Sequence, residues 1–322
     1  MIIGKQDFCD FQTIQSAVEY LEKLPKTDSW TTMYILDGVY EERVTMTLSK
    51  IRLIGIGHVV IKYNAYARQK DSSGMEIGTF ETATVHLEGT DIHLENLTLE
   101  NTAGQGEVVG QALALYANCD TSTFKNCQLK AHQDTLFCPH LPSARKDGSA
   151  FQGKRIAYEQ YRQVFSQCEI EGTVDFIFGG ATAYFDRCVI KSKNRDSGKE
   201  SYITAASTPE KQAFGFVFNE CFLIAEAGSS QVYLGRPWRP HAHVRFQQCY
   251  MSGHIHIDRW HDWGKPENRE TARFEEYGTI QNQTKIKKKD SWYTASESVD
   301  HVLKLSDLFD HTFYKRVEEK GI

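Results

Sequence analysis

The chain has 322 residues, of which 40% are hydrophobic, 25% charged and 12% aromatic, a composition that excludes disordered, collagen-like and small disulfide-stapled proteins and supports a sizeable core. Its 37 Lys+Arg against 42 Asp+Glu leave a formal charge of −5, so no global basic field draws it to nucleic acid or acidic lipid. No apolar run reaches the roughly 18–20 residues of a membrane span, and the residues up to Phe11 lack the apolar centre of a secretory leader, which gives the expectation of a cytoplasmic protein.

In chain order, Asp10 is placed to N-cap a first helix whose Phe11, Ile14, Ala17, Val18, Leu21 and Leu24 share one face and which stops before Pro25. Short apolar runs at 33–36, 51–54, 59–61 and 93–99, punctuated by Gly, Asn and Asp, read as strands. A Phe-x-x-Cys frame then recurs at Cys127, Cys168, Cys188, Cys221 and Cys249, opened by Phe124, Phe165, Phe185, Phe218 and Phe246. Two residues past each Cys stands an apolar residue: Leu129, Ile170, Ile190, Leu223 and Met251. Leu94-Glu-Asn-Leu97-Thr-Leu99 has the same shape, so the repeat starts earlier. These are coils of a β-solenoid in which Cys serves as a small core residue, a reading that disfavours disulfides and metal ligation. Cys9, Cys119 and Cys138 fall outside the frame. The run Lys285, Lys287, Lys288, Lys289 reads as solvated surface. Val299, Val302, Leu303 and Phe309 suggest a second short helix, and terminal helices would cover the open ends of the solenoid.

Serine-hydrolase, zinc-protease, P-loop and dinucleotide motifs do not occur. Four segments carry more polar and glycine punctuation than a core strand needs: those around Gln111, around Gln133 and Asp134, around Asp175, and Tyr233-Leu-Gly-Arg-Pro-Trp-Arg239. Asp175 stands among Val174, Phe176, Ile177 and Phe178, a costly place for a carboxylate without a partner. Arg236, held between Gly235 and Pro237, offers a stiffened guanidinium fork. Asp134 sits on another coil, and two carboxylates in unlike surroundings can divide the work of nucleophile and proton donor. Amides of Gln111 and Gln133 can donate to an oxyanion. Plainer readings stand beside these: an Asp in a solenoid turn caps backbone groups, stacked glutamines form a polar ladder, and Trp238 packs half-buried.

At these segments the sequence resembles the pectin methylesterase family. Gly38-Val-Tyr-Glu-Glu42 matches that family's G-x-Y-x-E, Gln111-Ala-Leu-Ala-Leu115 its Q-A-[VL]-A-L, Gln133-Asp-Thr-Leu136 its Q-D-T-L, Asp175-Phe-Ile-Phe-Gly179 its D-F-I-F-G, and Leu234-Gly-Arg-Pro-Trp238 its L-G-R-P-W. The resemblance implies an all-β fold, a right-handed parallel β-helix with short terminal helices, forming one domain over residues 1–322. It further implies an esterase that releases methanol from methyl-esterified pectin or oligogalacturonide, acting without metal or organic cofactor. Asp175 would be the nucleophile, Asp134 the acid and then the base, Gln111 and Gln133 the oxyanion donors, and Arg236 the partner of Asp175, with Phe178 and Trp238 lining the sugar cleft. A monomer is expected. An esterase for another acyl group on a pectic sugar, or a carbohydrate-binding β-helix without activity, are the alternatives.

The stretch between Asp134 and Asp175 is longer than in plant members of the family, with an extra segment at roughly 139–161 that carries Arg145, Lys146, Lys154 and Arg155. It is expected to project beside the cleft, shortening it and adding positive charge for an anionic sugar, unless it is a plain surface loop. Together with the absent leader it gives the expectation of an intracellular enzyme for short oligogalacturonides rather than for wall pectin.

Overall fold

Each Phe-x-x-Cys frame builds the same corner of a coil. The Phe lies in one strand, the residue before the Cys turns the chain in the left-handed region (Asn126 51°, Gln167 54°, Arg187 50°, Glu220 51°, Gln248 52°), and the next strand starts directly after the Cys. Asn96, at 58°, makes the same turn in the Leu94 frame. Because coils stack in register, the five Phe rings form a ladder with centroid separations of 4.5, 4.8, 4.4 and 4.4 Å. The cysteines are free and buried. Their role goes beyond that of a small apolar residue, since each thiol donates to the carbonyl of the Phe one coil earlier: Cys168 to Phe124 at 3.4 Å, Cys188 to Phe165 at 3.4 Å, Cys221 to Phe185 at 3.3 Å and Cys249 to Phe218 at 3.5 Å. Cys127 donates likewise to Leu94, at 3.6 Å.

The computed structural model describes residues 1–25, 27–141, 156–195, 198–229, 231–282, 284–285 and 292–320. Three parallel faces run along the coil axis. The first takes the leading halves of Thr31–Glu41 and Ile51–Tyr63, then Ile92–Glu95, Ser122–Lys125, Arg162–Ser166, Thr182–Asp186, Phe216–Asn219, His243–Gln247, Arg273–Tyr277 and Thr294–Ser296. The second takes the trailing halves of the two long strands and continues from Thr98–Asn101 to Ile280–Gln281. The third runs Val44–Met46, Val85–Thr90, Leu115–Asp120, Leu136–Cys138, Val174–Gly179, Ser201–Ala206, Val232–Pro237. The apolar runs expected at 51–54 and 59–61 are thus one strand that bends across a corner.

The first helix is Ile14–Glu22, and its cap is Thr13 rather than Asp10. The Thr13 hydroxyl accepts from Ser16 N at 3.2 Å, while Asp10 is engaged by Ile2 N at 2.7 Å. Glu42 accepts from the backbone N–H of Ile14 and Gln15, each at 2.9 Å, so the last residue of the Gly38–Glu42 motif serves the open amides of this helix. Tyr40 of that motif is buried and donates to the Leu36 carbonyl at 2.8 Å. At the other terminus the helices are Leu305–Leu308, within the expected segment but shorter, and His311–Lys320, beyond it. Phe309 and Phe313 pack on Val164, Tyr184 and Val217 of the first face, so this end of the chain covers a side of the solenoid and not an end. Lys287, Lys288 and Lys289 lie outside the described residues.

Candidate active site

The third face positions the candidate residues. Leu136 stands opposite Ile177, which sets Asp134 and Asp175, each two residues earlier, on adjacent coils; the Asp134 N–H donates to the Val174 carbonyl at 3.0 Å. Both aspartates hold positive φ, 64° and 50°, a conformation that Asp tolerates better than most residues. At Asp175 the register with Ser201–Ala206 slips between Val174 and Ile177, a bulge of the kind that re-aims a side chain out of its row.

Two coils further on, Arg236 binds the Asp175 carboxylate through both oxygens, Nε to Oδ1 at 2.8 Å and Nη2 to Oδ2 at 2.7 Å. The residue between Phe178 and Arg236 in the register row is Ala205. On the earlier coils the same row is aromatic, with His86, Tyr116, Phe137 and Phe178 at successive centroid separations of 4.2, 5.0 and 5.0 Å. The cavity opens where that row drops to Ala205. Two motif glycines are steric requirements: a Cβ on Gly235 would lie 2.0 Å from Thr204 Oγ1, and one on Gly179, at φ 123°, would lie 1.7 Å from the Cys138 carbonyl oxygen.

The cavity, about 420 Å³, gathers all seven residues singled out from the sequence: Gln111, Gln133, Asp134, Asp175, Phe178, Arg236 and Trp238. Asp134 and Asp175 are each 8% exposed. Burial, and next the negative charge of Asp175, push the Asp134 carboxyl well above its usual range, against smaller opposing effects of Arg236 and the Gln133 side chain. Burial works against the charge of Arg236, but the adjoining Asp175 carboxylate more than offsets it and holds the guanidinium above its ordinary value. Trp238 is half-buried, edge-on to Phe178 at 5.8 Å. A larger open groove of about 550 Å³ follows the coil corner at Asn96, Asn126 and Gln167 and is lined by these turns and the strand residues that flank them, with none of the acid–Arg pairing seen here.

Several residues around Arg236 and the cavity wall were not singled out from the sequence, apart from Arg239, which closes the Tyr233–Arg239 segment. Tyr202 and Trp263 sandwich Arg236, each ring centroid 3.8 Å from the guanidinium carbon. Phe80 packs on Phe137 at 5.1 Å, and Arg239 lies over Trp238 at 5.0 Å. Tyr202 reaches the site through sheet register, which a sequence does not display; Trp263, a large ring in the polar turn His261-Asp-Trp-Gly264, is a signal that was there to be used.

The Pectinesterase family model matches residues 1–145 and 143–307. The chain belongs to the pectinesterase family. It is 33% identical over 284 residues to pectinesterase 31 of Arabidopsis thaliana, covering 85% of this chain and 79% of that one. To the probable pectinesterase/pectinesterase inhibitor 6 of the same plant it is 32% identical, over 86% of this chain but only 46% of the relative. Among solved structures, the pectin methylesterase PemA from Erwinia chrysanthemi superposes with a TM-score of 0.76 at 26% identity over 96% of both chains. A pectin methylesterase in complex with a hexasaccharide gives 0.77 at 26%, again over 96% of both. The fold is the right-handed parallel β-helix of these pectinesterases.

Membership corrects one expectation. Plant and microbial pectinesterases act on cell-wall pectin, outside the cytoplasm, so a cytoplasmic placement does not hold. The unremarkable first residues that prompted it carry no information on location, and the idea of an intracellular enzyme falls with it. Arg145, Lys146, Lys154 and Arg155 of the extra segment lie outside the described residues.

Proposed function

We propose that the protein removes methyl groups from methyl-esterified galacturonic acid units of pectin by way of an Asp-linked acyl intermediate. The observation that carries this reading is the pairing, in one cavity, of a carboxylate held by both edges of an arginine fork with a second, buried carboxyl whose hold on its proton is strengthened by burial. Asp175 attacks the C6 ester carbonyl, and the negative charge gathers on the carbonyl oxygen, within the reach of the Gln111 and Gln133 amides. The C–OCH3 bond breaks as Asp134 gives its proton to the departing methoxide, leaving methanol, ionised Asp134 and an anhydride between Asp175 and the sugar. Water then attacks the anhydride carbonyl and gives a proton to Asp134. The products are a galacturonate carboxylate, the restored Asp175 carboxylate, and a second proton passed to solvent.

Phe178 and Trp238 supply flat apolar walls suited to a sugar ring. One apolar core runs from Ile3 to Tyr293, which supports a single domain over residues 1–322. All these groups come from one chain, so a monomer suffices.

The test is methanol release from methylated pectin, with polymer length followed in the same samples. Methanol without shortening is expected, and Asp175→Ala should remove it while leaving the circular dichroism of the β-helix unchanged. Near-wild-type release by Asp175→Ala would rule out Asp175 as the nucleophile.

A further inference from the structure

Arg236 is gripped on both faces, and one gripping ring belongs to a residue without a place in the chemistry. Tyr202, in Ser201–Ala206, stands opposite Val174 on one side and Tyr233 on the other. Its ring is fixed independently of Arg236: it stacks on Tyr233 at 5.3 Å and 10°, meets His261 edge-on at 5.6 Å, and its hydroxyl donates to Glu200 at 3.0 Å. Tyr233 in turn stacks on His256 at 4.1 Å. The Tyr202 ring is therefore a rigid floor under the guanidinium, with Trp263 as the roof.

The need for such a floor changes during the reaction. In the resting site two charge-assisted hydrogen bonds to Asp175 hold Arg236 by themselves. Once Asp175 is an anhydride it has lost its charge, and those bonds weaken to ordinary ones. A partly buried guanidinium in that state is kept in plane chiefly by the two π-faces, an interaction that gains strength as water is withdrawn.

We propose that Tyr202 is a positioning residue for deacylation: it keeps Arg236 in the plane of Asp175 while the acyl intermediate lasts, so that the leaving carboxylate is received at once. The proposal rests on the acyl-intermediate reading given above.

Methanol leaves in the first half-reaction, so rapid-quench measurement of methanol from a methylated oligogalacturonide separates the two halves. For Tyr202→Leu, kcat and KM should fall together by about tenfold, leaving kcat/KM near the wild-type value, with a methanol burst approaching one equivalent per enzyme. Tyr202→Met should behave likewise should the leucine variant not fold, and Tyr202→Phe, which keeps the ring, should restore turnover. In an Arg236→Gln background Tyr202→Leu should add no further loss, because its effect runs through Arg236. The proposal is overturned by a rise in KM at unchanged kcat, by a fall in kcat without a burst, by a phenylalanine variant as slow as leucine, or by a full additional loss in the Arg236→Gln background. Failure of the nucleophile assignment is read separately, from methanol released by Asp175→Ala.

Discussion

Asp134 and Asp175 have the same exposure and the same left-handed backbone, and Arg236 is what separates them. It commits two N–H groups to Asp175 and acts on Asp134 only as a weaker opposing charge. Burial then decides the state of Asp134, whose carboxyl keeps its proton above the usual carboxylate range. The sign for activity follows: the acid form needed to protonate methoxide is present below the raised value and is lost as pH climbs through it, so kcat should decline on the alkaline side. Asp134→Asn abolishes that limb because an amide has no proton to give, and turnover should drop by roughly 10²–10⁴-fold. A pH–rate profile of the two proteins checks both statements; an alkaline limb that survives in Asp134→Asn would assign it to another group. At this scale much was legible in the sequence. Asp175 among apolar neighbours calls for a cation, and Gly235 and Pro237 mark Arg236 as a stiffened one. Tyr202 was not legible, since what brings it to Arg236 is the stacking of coils and not any local spacing.

The coil as an element is held by a device that its own sequence half reveals. The Phe-x-x-Cys frame announces a repeat, but the left-handed third position and the thiol-to-carbonyl bond between coils appear only in three dimensions. Phe185 sits mid-ladder, fully buried, with rings at 4.8 and 4.4 Å on either side. Phe185→Ala should cost about 3–5 kcal/mol by chemical denaturation, as expected for an aromatic lost from a close-packed core. A loss under about 1 kcal/mol would mean that the ladder closes over the gap. The first helix teaches the converse lesson. Asp10 is a favoured residue type for a cap, yet Ile2 N engages it; Thr13 caps the helix, and the carboxylate that also serves the first turn is Glu42, brought in from the corner after the strand Thr31–Glu41. A cap supplied across the fold is invisible to a local reading.

For the molecule as a whole, the end of the chain matters most where it runs back along the first face. In a solenoid each coil touches only its neighbours, so stability is close to a sum of local terms and unfolding can begin at either end. Here Leu303 is held through both backbone groups by the Gln247 side chain, donating at 3.0 Å and accepting at 2.7 Å, and it also accepts from Tyr184 at 3.3 Å. That clamp is why the apolar residues at 299–303 do not continue as a helix. Phe309 and Phe313 then cover Val164, Tyr184 and Val217, and Arg316 reaches Asp91 at 2.6 Å and the Thr121 carbonyl at 3.0 Å. The segment thus straps coils from Gln247 back to Asp91, joining parts of the repeat that share no strand pairing. Removing residues 304–322 should uncover the apolar row and sever the strap. The two phenylalanines alone account for roughly 3–6 kcal/mol of buried apolar surface, so the unfolding midpoint should fall. The transition should also broaden, because coils no longer tied together unfold less cooperatively. The cavity lies on the third face, away from the strap, so methanol release per folded molecule at low temperature should be retained. An unchanged midpoint and slope would show that the strap merely lies on the solenoid and that the coils hold one another without it.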